Sequence, residues 1–306
     1  MKLGYYSCSS HLEHDVGDMH PEHPMRIIAI DHKLEKMGLI QDVYQGKRKY
    51  IAKTDLFRAH TGGYIEQLLA MSPSNGMILV DSDTPMAVGT LSAAYQATSC
   101  VIEALEDIVL GEVDRAFCAV RPPGHHAESN KAMGFCFLNH VAIAAKKAKQ
   151  EFGLERIAVI DFDVHQGNGT IDILANDPGF LICSSFQHPS FPFSHWQNIN
   201  DNVINTPLNQ GSDGMVMRRA IESQWLQELQ DFKPQLTLVS AGFDAHRKDP
   251  MGGLEWTSLD YAWLGAFLSD INKENPNNKV LAVLEGGYNL EALADSVFEF
   301  ICAFKE

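Results

Sequence analysis

RIAVIDFDVHQGNG, residues 156–169, begins as a buried strand and ends as something else. Ile157 to Ile160 are apolar without interruption, the pattern of a strand covered on both faces. Asp161, Asp163 and His165 then alternate with Phe162 and Val164. In an extended segment alternate side chains point the same way, so the three polar residues are expected on one face. Two carboxylates on one face repel each other, and a cation is the simplest remedy. Gly167 and Gly169 permit a sharp exit into a following helix. Alone, the run also fits a solvated turn that caps a helix.

Working outward, other short apolar runs read as strands: MILV (77–80), AFCAV (116–120), FLICS (180–184), QLTLVSA (235–241) and KVLAVLE (279–285). Segments with helical spacing lie between them, at 87–110, 137–152, 213–231 and 289–304. Strands alternating with helices predict an α/β fold with a mostly parallel sheet covered by helices. Ligands of such sheets bind beyond the carboxyl ends of the strands. Four strands here end in proton- or metal-competent residues. His125 and His126 follow AFCAV, Asp161 to His165 follow RIAVI, Asp244 follows LTLVSAGF, and Tyr288 follows VLAVLEGG. Four such endings describe a site.

Carboxylate and imidazole together suit zinc or another first-row divalent ion. Asp163, His165 and Asp244 are the expected ligands, and three protein ligands leave a position open for water and substrate. His246 is an alternative ligand, but reads better as a loop histidine. His11, His14, His20 and His23 read as a polar loop at the rim. The adjacent imidazoles of His125 and His126 suit general acid and base roles if their partners hold them in different protonation states. Tyr288, after Gly286 and Gly287, is placed to donate a hydrogen bond to a developing oxyanion. No GxSxG motif or activated cysteine is evident. The chemistry expected is attack of metal-activated water on an amide or ester carbonyl.

The bulk properties agree. The chain has 306 residues, 45% hydrophobic and 21% charged, and no repeat or long polar linker divides it, so one domain over 1–306 is expected. A net charge of −15 argues against direct nucleic acid binding. No run is apolar enough for a membrane span, and the N-terminus lacks a signal-peptide pattern, so a cytoplasmic protein is expected. The six scattered cysteines read as buried reduced thiols.

HPEHPMR (20–26), VRPPGHHAE (120–128), MGFCFLNHVAIAA (133–145), DFDVHQGNGT (161–170), VSAGFDAHRKDPMGGL (239–254) and LEGGYNL (284–290) together resemble the zinc-dependent histone deacetylase family. The resemblance is to its class II branch and bacterial members, including acetylpolyamine amidohydrolases. It implies an arginase-like fold with a central eight-stranded sheet. It also implies Zn2+ on Asp163, His165 and Asp244, with Fe2+ accepting a similar set. His125 and His126 match the family's tandem histidines, with His126 favoured as the proton shuttle, and Tyr288 matches its carbonyl-polarising tyrosine. Asp161 would brace His125 and, with Ser184 and backbone oxygens that include Ser185, hold a structural K+. Asn168 would brace His126. Gly134 and Phe135 match one wall of a substrate channel, and Phe191 the other, with Phe193 close enough to compete for that register.

Substrate choice is where the family divides. Its polyamine-specific members carry an acidic gatekeeper seven residues after the last metal ligand, where this chain has Met251. Asp83 aligns with a rim residue that binds a peptide backbone. Both favour an acyl-lysine peptide or protein over small acetylated amines such as polyamines. A catalytically silent acyl-lysine binder would have lost a ligand, a histidine or the tyrosine, and none is lost here.

Overall fold

The computed structural model describes residues 1–40, 43–45, 52–275 and 278–306. Ten strands are described: β1 (Leu3–Ser7), β2 (Tyr44–Gln45), β3 (Met77–Asp81), β4 (Thr84–Ala87), β5 (Arg115–Ala119), β6 (Ile157–Asp161), β7 (Phe180–Gln187), β8 (Val203–Leu208), β9 (Leu236–Ala241) and β10 (Lys279–Leu284). Eight of them form one sheet in the order β2-β1-β5-β10-β9-β6-β7-β8. Every pairing in it is parallel. Seven strands are of ordinary length, and β2 adds a two-residue edge.

Two helical layers cover the sheet. Successive residues of a strand face opposite sides, so Ala116 and Cys118 of β5 enter one core while Phe117 and Ala119 enter the other. The first core is closed by α3 (Gly62–Met71), α4 (Thr90–Val109) and α5 (His140–Phe152). The second is closed by α1 (Met25–Lys36), α7 (Gly214–Gln224), α8 (Leu226–Phe232), α9 (Ser258–Glu274) and α10 (Leu290–Phe304). The short α2 (Lys53–Leu56) and α6 (Asn168–Leu174) complete the set. Helix starts are written locally. Asn139, Asp213 and Asn289 accept hydrogen bonds from backbone N–H groups in the first turns of α5, α7 and α10.

Three features depart from the sequence reading. MILV is not a strand of the main sheet. As β3 it pairs antiparallel with β4 in a separate, largely exposed hairpin. Its tight turn at Ser82 and Asp83 leaves no room for the crossover that a parallel partner requires. β1 escaped notice because its tyrosines and glycine give no continuous apolar run. β8 did so because Asn205, Thr206 and Pro207 interrupt it. Proline lacks a ladder donor and is tolerated there because β8 is an edge strand.

Candidate active site

β5, β10, β9 and β6 are consecutive neighbours at the centre of the sheet. All four run parallel, so their carboxyl ends open on the same side. This is why residues from four distant parts of the chain meet. The loop after β5 delivers His125 and His126, and that after β6 delivers Asp163 and His165. The loop after β9 delivers Asp244, and that after β10 delivers Tyr288.

β6 stops at Asp161, so the D-x-D-x-H run is a turn and not the extended segment expected. The turn is held by its own carboxylates: Asp163 N–H donates to Asp161 Oδ1 at 3.1 Å, and His165 N–H to Asp163 Oδ1 at 2.9 Å. Asp163 and His165 consequently face Asp244, while Asp161 turns towards His125. The ligand atoms of Asp163, His165 and Asp244 lie within 4.8 Å of one another, all in buried residues. This is the one such group among the described residues. His165 Nδ1 is 3.1 Å from Asp163 Oδ1 and 3.3 Å from Asp244 Oδ2.

Backbone donors pin the outer carboxylate oxygens. Gly286 N–H donates to Asp163 Oδ2 at 2.8 Å and Val164 N–H to Asp244 Oδ1 at 2.9 Å. A side chain at Gly286 would collide with both carboxylates, which explains glycine there. Asp244 Oδ2, by contrast, is buried with no hydrogen bond. An orphaned anionic oxygen beside an imidazole and a second carboxylate fits a divalent cation. The electrostatics of the bare set agree. Burial opposes charge on His165, but the two carboxylates outweigh it and push its pKa up to about 10. Burial and the neighbouring Asp163 charge push Asp244 up to about 7. His246 lies outside this set, buried with its Nδ1 accepting Lys248 N–H at 3.1 Å.

The two histidine rings are tilted against each other, with centres 4.0 Å apart, but have unlike braces. His125 Nδ1 meets the Asp161 carboxylate at 3.0 Å, and its Nε2 lies 3.8 Å from Asp163 Oδ1. Burial works against an imidazolium here, yet Asp163 and Asp161 raise the His125 pKa to about 10. His126 Nδ1 instead meets the neutral amide oxygen of Asn168 at 2.8 Å. Burial and the neighbouring His125 and His165 hold its pKa well below the usual histidine range. The Asn168 amide is oriented because its NH2 donates to Glu128 Oε1 at 2.8 Å. Its oxygen is therefore left for His126, so Nδ1 carries the proton and Nε2 keeps its lone pair.

Aromatic rings line the approach. Phe191 meets His126 edge-on at 4.9 Å between centres and His165 at 6.1 Å, whereas Phe193 is 73% exposed. Phe135 lies 6.0 Å from the Tyr288 ring and 4.7 Å from His20. Gly134 has φ +57, and a side chain there would strike His126 and Phe191. Asp83 sits beside it, with Gly134 N–H donating to Asp83 Oδ1 at 3.3 Å. Met251 is half-buried, and its N–H donates to Asp249 Oδ1. Of the early histidines, His20 reaches the rim at Phe135. His11 and His14 are buried instead, His14 Nε2 lying 3.1 Å from Glu22 Oε2.

Several buried carboxylates escaped the sequence reading. Glu285 Oε2 accepts the N–H groups of Gly124 (2.6 Å) and His125 (3.1 Å), and burial pushes its pKa up to about 7. Glu22 pairs with Arg26 and Arg121, and Arg26 lies 4.8 Å from the Tyr288 ring centre and bonds the carbonyls of Glu285 and Gly287. Asp249 holds the Tyr288 backbone. Each of these residues lay within a stretch already singled out. What a sequence does not carry is the direction of the side chain. Ser184, paired with Asp161 across β6 and β7, and Ser185 both have buried hydroxyls without hydrogen bonds.

Comparison with known proteins identifies the family. The histone deacetylase domain model matches residues 20–304, and the chain belongs to the histone deacetylase family. It is 38% identical to the uncharacterized protein slr0245 of Synechocystis, over 94% of each chain. It is 35% identical to the chloroplastic histone deacetylase 14 of Arabidopsis thaliana, over 95% of this chain and 74% of that one. The crystal structure of the HDA15 HD domain superimposes with a TM-score of 0.92 at 30% identity, covering all of this chain and 88% of the other. The arginase-like α/β fold is thus that of a deacetylase, a hydrolase of acetylated substrates. The family implies a metal cofactor, and Asp163, His165 and Asp244 are the described group that fits one. No described helix is long and apolar enough to cross a membrane.

Proposed function

We propose that this chain is a zinc-dependent deacetylase that hydrolyses the amide of Nε-acetyl-lysine, or a related acyl-lysine, in peptides or proteins. The observation that carries the reading is the pair of unlike braces on adjacent histidines beside the Asp163, His165 and Asp244 cluster. These three residues would hold Zn2+, with Fe2+ an alternative occupant. Once bound, the ion would acidify a water and polarise the acyl carbonyl.

The remaining work falls to the chain's own groups. His126 Nε2, unprotonated because Asn168 holds the proton on Nδ1, accepts a proton from the attacking water and returns it to the departing amine. His125, whose pKa Asp163 and Asp161 raise, supplies positive charge next to that transfer. The Tyr288 hydroxyl donates to the acyl oxygen as negative charge develops on it. Phe135 and Phe191 enclose the lysine methylenes and exclude water, and Gly134 lets the wall come close. Asp161, Ser184 and the backbone around Ser185 would hold a structural K+, and the unpartnered Ser184 hydroxyl supports this.

Met251 in place of an acidic gatekeeper, and Asp83 beside the channel wall, favour a peptide over a polyamine. The six cysteines are free thiols, five of them buried, which fits the cytoplasm or another reducing compartment. The test is a hydrolysis panel of acyl-lysine peptides and acetylated polyamines with defined metals. Acetyl-lysine peptide is expected to be preferred, and preference for the polyamine would sink the substrate assignment. His126→Ala and Tyr288→Phe are each expected to lower kcat by ~10²–10⁴ with the fold intact. Near-normal turnover in both would refute the mechanism.

A further inference from the structure

Asp249 lies five residues beyond Asp244, and its carboxylate is buried. Oδ2 accepts the N–H of Tyr288 at 2.6 Å and that of Asn289 at 3.1 Å. Oδ1 accepts the N–H of Met251 at 3.0 Å. One side chain thereby ties the loop after β9 to the loop after β10. The bonds that hold Gly286, its N–H to Asp163 Oδ2 and its carbonyl to the Phe243 N–H, stop short of Tyr288. Gly286 and Gly287 precede Tyr288, Gly287 has φ +122, and glycine resists bending least. On the other side, Arg26 bonds the carbonyls of Glu285 and Gly287. Those contacts hold oxygens upstream of Tyr288, whereas Asp249 holds the N–H of Tyr288 itself.

We infer that Asp249 is a positioning residue that sets the Tyr288 hydroxyl against the acyl oxygen by clamping the Tyr288 and Asn289 amides. The same carboxylate fixes Met251, so the tyrosine and this side of the entrance move together. The inference rests on the role proposed for Tyr288. A carboxylate suits the task because it has lone pairs for three converging donors and none to offer as a donor itself. An asparagine would turn its NH2 towards at least one of those N–H groups.

The decisive measurement combines hydrogen exchange with a double-mutant cycle. In the wild-type protein the amides of Tyr288 and Asn289 are expected to be protected, and in Asp249→Asn to exchange at least ~10-fold faster with the β9 and β10 amides unchanged. Unprotected amides at both positions in the wild type would overturn the clamp, whether or not any variant folds. In kinetics with an acetyl-lysine peptide, Asp249→Asn is expected to lower kcat ~10–100-fold with metal content and KM nearly unchanged. In a Tyr288→Phe background the same substitution should cost less than ~3-fold, because the hydroxyl it positions is already gone. An equal cost in both backgrounds, or a cost that tracks loss of metal, would overturn the inference. If Tyr288→Phe itself is fully active, the role of Tyr288 fails instead, and the exchange result still judges the clamp.

Discussion

At the scale of single residues, the site works by giving similar side chains different neighbours. His125 and His126 are adjacent in sequence, yet one is bonded to a carboxylate and the other to an amide. The shortest bond that orients the amide goes to Glu128, which is only half-buried, with longer ones to the His126 carbonyl and Met133 Sδ. Glu128→Ala frees Asn168 to rotate and present its NH2 to His126, which moves the imidazole proton to Nε2 and removes the base. A ~10-fold fall in kcat is expected, and in an Asn168→Ala background the loss of Glu128 should cost little further. Steady-state rates of the four proteins decide it, and equal losses in both backgrounds would show that Glu128 acts elsewhere. The motif VRPPGHHAE contained Glu128 all along. Its sequence neighbours gave no hint that it reaches a residue forty positions away.

At the scale of elements, strands were legible where they are buried on both faces. β5, β6, β9 and β10 each lie between two helical layers, so most positions are apolar and the run stands out. β1, buried but carrying a glycine and two tyrosines, and the edge strands β2 and β8 lack that uniformity, and the β3–β4 hairpin has the composition of a sheet strand without its position. Helix starts were legible in outline because capping is local. Asp213 illustrates this, accepting the N–H groups of Met215 and Val216 at 3.0 Å from an exposed position. Asp213→Ala is expected to lower stability by ~1 kcal/mol without altering kcat or KM. Urea denaturation and a single activity assay check it, and unchanged stability would mean that water replaces the cap at no cost.

At the scale of the whole molecule, buried neutral histidines make the fold acid-sensitive. His60 and His140 both have pKa values lowered to about 4, mainly by burial. His60 Nε2 accepts the N–H of Asn139 at 2.9 Å, a bond that protonation destroys. Between about pH 6.5 and about 4 the unfolded chain binds a proton at each of these positions and the folded chain does not. Stability from this source is therefore complete above pH 6.5 and drains away below it, at about 1.4 kcal/mol per pH unit for each histidine. Glu285 and Asp244, raised to about 7, oppose this dependence of the urea midpoint on pH over the same range, so the histidine share is read as a difference in slope between wild type and variant. His60→Gln, whose amide oxygen can still take the Asn139 N–H, should lessen that slope by about one proton. An identical slope in the variant would exclude His60 as a source.

Composition, alternation and the four strand endings determined the α/β class, the side of the sheet that carries the candidate site, and which residues are proposed as metal ligands and acid–base groups. These follow from covalent order, because a parallel strand places whatever follows it at one end of the sheet. Tertiary structure alone decided that β5, β10, β9 and β6 are neighbours in that order. It also decided that Phe191 rather than Phe193 faces the histidines, and that Asp249, Glu285 and Glu128 hold the loops in place. The reason is the same in each case. A carboxylate's sequence position states what it can bond, and only packing states which donors arrive within its reach.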